Sequence, residues 1–249
     1  MQRYFVNEPA QNEFFIITGD DQRHISKVMR MAPGNSIICV DPKGSSAECE
    51  IAEITDEKIT AKIVKWIEGS PELPVQVTIV SGLPKGDKLE LVIQKGTELG
   101  AYKFIPFISA RSIVKWDAKK ADKKLDRWYK ISKEAAEQSH RTILPEVTAP
   151  VQLKELITLA ESYDQKLIAF EESAKEGEAS MLSQTLHQLK RGQSLLIVFG
   201  PEGGLTEQEV TALQEQGFIT CGLGPRILRT ETAPLYALAA VSYHFELMG

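Results

Sequence analysis

The chain has little cysteine: Cys39, Cys49 and Cys221 among 249 residues. Three scattered thiols exclude a disulfide framework and a paired-cysteine metal site, and they read as small core residues of a reducing compartment. Apolar runs of about 18 residues, the length a membrane span needs, are missing. The N-terminus Met-Gln-Arg-Tyr-Phe-Val-Asn-Glu-Pro lacks the apolar stretch of a signal peptide. The expectation is a cytoplasmic protein with no membrane contact. Common catalytic signatures are absent as well. Gly222-Leu-Gly224-Pro-Arg-Ile begins like a dinucleotide fingerprint but has no third glycine, and it sits near the end of the chain. Gly82-Leu-Pro-Lys-Gly86-Asp-Lys has neither the spacing nor the ending of a phosphate loop. No GxSxG or HExxH occurs, and His24, His140, His187 and His244 are far apart in sequence, so no metal site is expected.

An excess of positive charge is also missing, since the net charge is −5. Its distribution is uneven. From Arg111 to Arg141 ten basic residues face five acids, which leaves that segment at +5 and the remainder at −10. A local basic stripe on an acidic protein is compatible with phosphate contact, and equally with a solvated helix face.

The first seventy residues read as short strands with one helix. Strands are expected at Phe14–Ile17, Ser36–Val40, Ala47–Ile54 and Lys58–Ile67, with Asp41-Pro-Lys-Gly44 and Asp56-Glu57 as turns. Ile25, Val28 and Met31 share one helix face behind a capping candidate at Thr18. This pattern suggests a small barrel or roll. Gly69-Ser-Pro-Glu-Leu-Pro74 is the linker candidate, dividing residues 1–70 from 71–249.

Beyond it strands and helices alternate, as in an α/β domain with a parallel sheet. Strands are expected at Val75–Ser81, Lys103–Ile108 (broken by Pro106), Lys166–Phe170, Leu195–Phe199 and Phe218–Cys221. Helices are expected at Asp87–Leu99, at Ala118–Ser139 with Ala121, Leu125, Trp128, Ser132 and Ala135 packed, and from about Ala233 to Leu247. The last is apolar nearly all round, so it is buried in a core or against a second subunit.

Two blocks carry the chemistry. Phe199-Gly-Pro-Glu-Gly-Gly204 follows a strand and precedes Thr206-Glu-Gln-Glu209, a capping box that starts a helix. Its three glycines exceed the needs of a turn and suggest a ligand wall. Leu223-Gly-Pro-Arg-Ile-Leu-Arg-Thr-Glu-Thr-Ala233 sets apolar Ile227 and Leu228 among Arg226, Arg229 and Glu231. Thr230 and Thr232 are capping candidates for the last helix, and Pro234 fits its first turn. An apolar lining with few charges suits an adenine-containing cofactor.

With these blocks, Leu83-Pro-Lys-Gly-Asp-Lys88, Gln94-Lys-Gly-Thr-Glu-Leu-Gly100, Ser109-Ala-Arg-Ser112 and Glu134-Ala-Ala-Glu-Gln138 with Arg141 resemble the RsmE-type family of 16S ribosomal RNA uridine-N3 methyltransferases, in the SPOUT class. Arg23-His24 and Val28-Met-Arg-Met31 resemble that family's PUA-like RNA-binding domain. The resemblance implies a trefoil-knotted SPOUT methyltransferase domain and a small PUA-like β-barrel, assembled as a homodimer through the last helix. It implies S-adenosylmethionine held between the loops at Ala169–Glu171, Phe199–Gly204 and Leu223–Leu228, by Phe170, Phe199, Gly200, Pro201, Glu202, Gly203, Leu223, Gly224, Ile227, Leu228 and Thr232. The partner is 16S rRNA or the assembled small ribosomal subunit.

Uridine N3 carries a proton and is a poor nucleophile until that proton leaves. Arg229 and Arg226 are candidates to hold the charge that spreads onto O2 and O4. Glu202 or Glu231 is the candidate proton acceptor. Arg23, Lys27, Arg30, Lys85, Lys88, Lys95, Arg111, Lys119, Lys123 and Arg141 are expected on RNA phosphates. The alternatives are ribose 2′-O or guanine N1 transfer on the same fold, or a non-catalytic RNA-binding assembly factor.

Overall fold

The computed structural model describes residues 1–113, 121–170 and 180–248. Lys119, expected on RNA, and Glu171, at the end of one expected loop, lie outside them. The chain forms two compact units: Met1–Glu72 with Ala136–Leu144, and Leu73–Ala135 with Pro145–Gly249. A division at residue 70 has no place for Ala136–Leu144 in the N-terminal unit.

That first unit contains β1 (Arg3–Phe5), β2 (Phe14–Thr18), β3 (Ser36–Val40), β4 (Ser46–Ile54) and β5 (Lys58–Ile67), paired in the order β1-β3-β4-β5-β2. All neighbours are antiparallel except β1 and β3. Alternating residues send Phe15, Ile17, Ile37, Cys39, Cys49, Ile51, Ile59 and Ala61 into one core. Register irregularities at Glu48/Cys49 and Ile51/Glu53 bend the β4–β5 pair, as a rolled sheet requires. The helix α1 (Gly19–Arg23) passes into a π-helical turn, His24–Val28. The wider turn corrects the expected helix face: Ile25 is buried, but Val28 is 67% exposed. Thr18 stands at the cap position, yet its side chain makes no capping bond.

One polar network is buried in this unit. The Glu72 carboxylate accepts from Arg141 Nε (3.0 Å) and Nη2, and from the backbone N–H groups of Thr142 (2.8 Å) and Ile143 (3.0 Å). Arg3 Nη1 donates to the Arg141 carbonyl at 2.9 Å. Arg141 is therefore corrected from an RNA contact to a buried residue whose guanidinium is committed to Glu72.

The second unit is built on β6 (Gln76–Gly82), β7 (Lys103–Phe107), β8 (Glu146–Val147), β9 (Gln165–Ala169), β10 (Ser194–Phe199) and β11 (Ile219–Cys221). They form one sheet, β11-β9-β10-β6-β7-β8, parallel throughout. Among the described residues its helices are α2 (Lys88–Glu98), α3 (Ala121–Gln138), α4 (Leu153–Ala160), α5 (Ser180–Gln188), α6 (Glu207–Gln214) and α7 (Thr232–Ser242), which continues as a π-helical turn, Tyr243–Leu247. Both faces of the sheet are covered, so β10 reads as an unbroken apolar run. Leu195, Ile197 and Phe199 enter one core with Val92, Ile93 and Leu238, while Leu196 and Val198 enter the other with Ile168, Leu156 and Leu213. Pro106 lies within β7 without ending it, paired in register with Ser81. Because every strand runs the same way, the loops after Gly82, Ala169, Phe199 and Cys221 leave from one edge, where ligands bind in such sheets.

Candidate functional site

That edge holds a cavity of about 380 Å³. Its walls are Ala169 and Phe170 after β9, Phe199 and Gly200 at the end of β10, Leu223–Leu228 after β11, and Ala233 in α7. Of the residues expected on the cofactor, Phe170, Phe199, Gly200, Leu223, Gly224, Ile227 and Leu228 line it, as does Arg226. Pro201, Glu202, Gly203 and Thr232 are not among its lining residues.

The first block is shaped from below. A Cβ on Gly82 would lie 2.4 Å from Pro201 N, and one on Gly200 would lie 2.9 Å from the Gly204 backbone. Only glycine permits these two loops to pack so closely. The block is also held from outside. Arg111 Nη1 donates to the carbonyls of Gly203 (3.0 Å) and Leu205 (3.2 Å). The capping box forms as expected: Glu209 N–H donates to Thr206 Oγ1, and Thr206 N–H donates to Glu209 Oε2. The second Glu209 oxygen accepts the Ala110 N–H at 2.8 Å, which pins the 109–112 loop to the start of α6. This bond spans 99 positions and has no local sequence signal. Arg111, expected on phosphate, is thus engaged with backbone carbonyls.

The second block is held less. Ile227 lines the cavity yet is 76% exposed, and Arg226 and Arg229 are exposed. Its C-terminal end folds back through the Thr232 and Ala233 N–H groups, which both donate to the Arg229 carbonyl. Glu231 occupies the cap position of α7. Neither Thr230 nor Thr232 does so, and this corrects the sequence expectation.

Charge at the site is concentrated on Lys88, in the first turn of α2. Its Nζ lies 2.9 Å from Glu202 Oε1 and 3.6 Å from Glu231 Oε2. Glu202 Oε1 also accepts the Lys85 N–H at 3.1 Å. Burial pushes the Glu202 carboxyl up, but the Lys88 ammonium and the N–H groups of Glu202 itself and Lys85 outweigh it, so its pKa falls below the ordinary value. Lys88 is in turn held above its ordinary value, first by its hydrogen bond to Glu202. Lys88 was expected on phosphate; here it bridges two carboxylates. Lys95 pairs with Glu98 at 2.8 Å, and Arg127 of the basic stripe pairs with Glu90 at 2.7 Å. Arg23, Lys27, Arg30, Lys85 and Lys123 are exposed.

The model of the RNA methyltransferase domain matches residues 71–242, and that of the RNA methyltransferase PUA domain matches residues 17–64. Ribosomal RNA small subunit methyltransferase E of Bacillus subtilis is 54% identical, over 100% of this chain and 98% of that protein. The protein of the same name from Mycobacterium bovis is 31% identical over 96% of this chain and 89% of its own. Among solved structures, the Neisseria gonorrhoeae ribosomal RNA small subunit methyltransferase E bound to S-adenosyl methionine matches with a TM-score of 0.82 at 30% identity, over 97% of each chain.

Proposed function

The chain belongs to the RNA methyltransferase family that includes ribosomal RNA small subunit methyltransferase E, and on that premise we propose that it transfers a methyl group from S-adenosylmethionine to N3 of a uridine in 16S ribosomal RNA. The observation that carries this reading is the apolar cavity at the carboxyl ends of β9, β10 and β11, walled by the two glycine-rich blocks. Its volume falls within the range of small-molecule sites. The residues present fit the cofactor. Phe199, Leu223, Ile227 and Leu228 offer apolar surface for an adenine ring, and Gly200 and Gly224 leave backbone open to it. When bound, the cofactor supplies an electrophilic methyl group.

The rest falls to the chain. Arg229 and Arg226 are assigned to the oxygens flanking N3, where their fixed N–H donors favour the anion that forms when the proton leaves. Glu202 or Glu231 accepts that proton. Exposed Arg23, Lys27, Arg30, Lys85 and Lys123 supply phosphate contacts. Paired bases hide N3, so the target is presented unpaired. The reading also includes the small ribosomal subunit as partner, the knot, work in the cytoplasm and a homodimer. For the dimer, α7 and its extension leave Tyr236, Tyr243 and Leu247 exposed on a largely apolar helix.

The test is methyl transfer from labelled cofactor to small subunits isolated from cells that lack the modification, with nucleoside mass spectrometry of the product. N3-methyluridine is expected. A 2′-O-methylated nucleoside, N1-methylguanosine or no incorporation would overturn the assignment. Arg229→Ala should abolish turnover and spare cofactor affinity; equal losses in both would remove its catalytic role.

A further inference from the structure

One ammonium serves two carboxylates whose surroundings differ. Glu202 stands two residues after the lining residue Gly200, and Glu231 two before the lining residue Ala233. Glu202 Oε1 already accepts two hydrogen bonds, from Lys88 Nζ at 2.9 Å and from the Lys85 N–H at 3.1 Å. Glu231 Oε2 is buried and accepts none from any described residue. Its 3.6 Å approach to Lys88 is an ion-pair contact beyond hydrogen-bond reach. Nor is the Glu231 side chain spent on its own helix, since it makes no capping bond to α7. Buried acceptors without donors are rare because they are costly, and a ligand that brings a donor relieves the cost.

Resting on the function proposed above, we propose that Lys88 is a positioning residue that gives the two glutamates different tasks. It holds Glu202 and Glu231 beside one ammonium and leaves Glu231 Oε2, which has no hydrogen-bond donor among the described residues, to meet the imide N–H of the target uracil once RNA is bound. In the proton-transfer step the N3–H bond breaks, its electron pair stays on N3, and the proton passes to Glu231 Oε2. The negative charge moves from carboxylate to uracil, and the carboxylic acid afterwards returns its proton to solvent. Glu202 is the poorer acceptor because two donors already stabilise its anion. Lys88 is the cation paired with both carboxylates; in sequence, Lys85 and Asp87 lead into α2, and Arg226 and Arg229 stand on the block that carries Glu231.

The experiment compares wild type with Glu231→Gln, Glu202→Gln, Lys88→Met and Lys88→Arg on unmethylated small subunits. Cofactor affinity is followed by calorimetry. Glu231→Gln should lower kcat by about 10²-fold or more with little change in KM or cofactor affinity, and Glu202→Gln by less than about tenfold. Lys88→Met should lower kcat with little change in KM, because Glu231 loses the ammonium that places it. Lys88→Arg should restore kcat. The proposal is overturned if Glu231→Gln keeps its kcat. It is equally overturned if Lys88→Met raises KM and reduces the salt slope of RNA binding by about one while kcat stays at the wild-type level, since Lys88 would then be a phosphate contact. Failure of wild type to yield N3-methyluridine is a separate result: it rejects the uridine reading and this inference with it.

Discussion

The two glycine-rich blocks wall one cavity, but the molecule holds them by opposite means. Phe199–Gly204 is held at several points: Gly82 packs on Pro201, Arg111 grips the carbonyls of Gly203 and of the next residue but one, Leu205, and Glu209 ties the following helix to the 109–112 loop. Leu223–Ala233 leaves Ile227 76% exposed at the cavity and Arg226 and Arg229 in solvent. The contrast teaches a division of labour. One wall is a rigid frame whose residues answer to the fold. The other is a surface whose side chains answer to what binds.

Substitutions can break this contrast. Gly82→Ala drives a methyl group into the Pro201 backbone and should cost about 3 kcal/mol, read from denaturant unfolding. Glu209→Ala removes both the cap and the Ala110 tie and should cost about 2 kcal/mol by the same measurement. Ile227→Ser should leave stability within about 0.5 kcal/mol and weaken cofactor binding roughly tenfold by calorimetry. If Ile227→Ser destabilises as much as Glu209→Ala, the second wall is framework too and the contrast collapses.

The smallest effect sharpens the comparison through pH. The Glu202 pKa is depressed on folding, so its contribution is present above the ordinary value of 4.5 and is lost as pH falls through the lowered one. Stability curves of wild type and Glu202→Gln should therefore converge in acid and separate towards neutrality, less so in high salt. A gap that persists at low pH would mean that Glu202 acts by packing rather than by charge.

Much of this was legible in the sequence, where the signal was local. The alternation of β5, the unbroken apolar run of β10 and the Thr206–Glu209 box each specify an element within a few residues. Ile227 and Leu228, apolar within a charged segment, were read as lining a pocket from a local pattern, and both line the cavity. What failed was long-range or subtle. The π-helical turn at His24–Val28 shifts side chains off a 3.6-residue period and so exposes Val28. Three-residue β1 and two-residue β8 are too short for any periodicity. Arg111, Lys88 and Arg141 all read as contacts to RNA phosphates. Their partners, Gly203, Glu202 and Glu72, lie 92, 114 and 69 positions away.

The network around Glu72 bears on how the protein is made. Its acceptor is complete once residue 72 has been synthesised, but its donors, Arg141, Thr142 and Ile143, come about seventy codons later. On a growing chain the N-terminal unit must wait, with a carboxylate lacking its partners, until a stretch of the second unit has emerged. Order of translation and order of closure therefore differ, and a gene fragment that stops at the apparent linker would encode a unit missing its last piece.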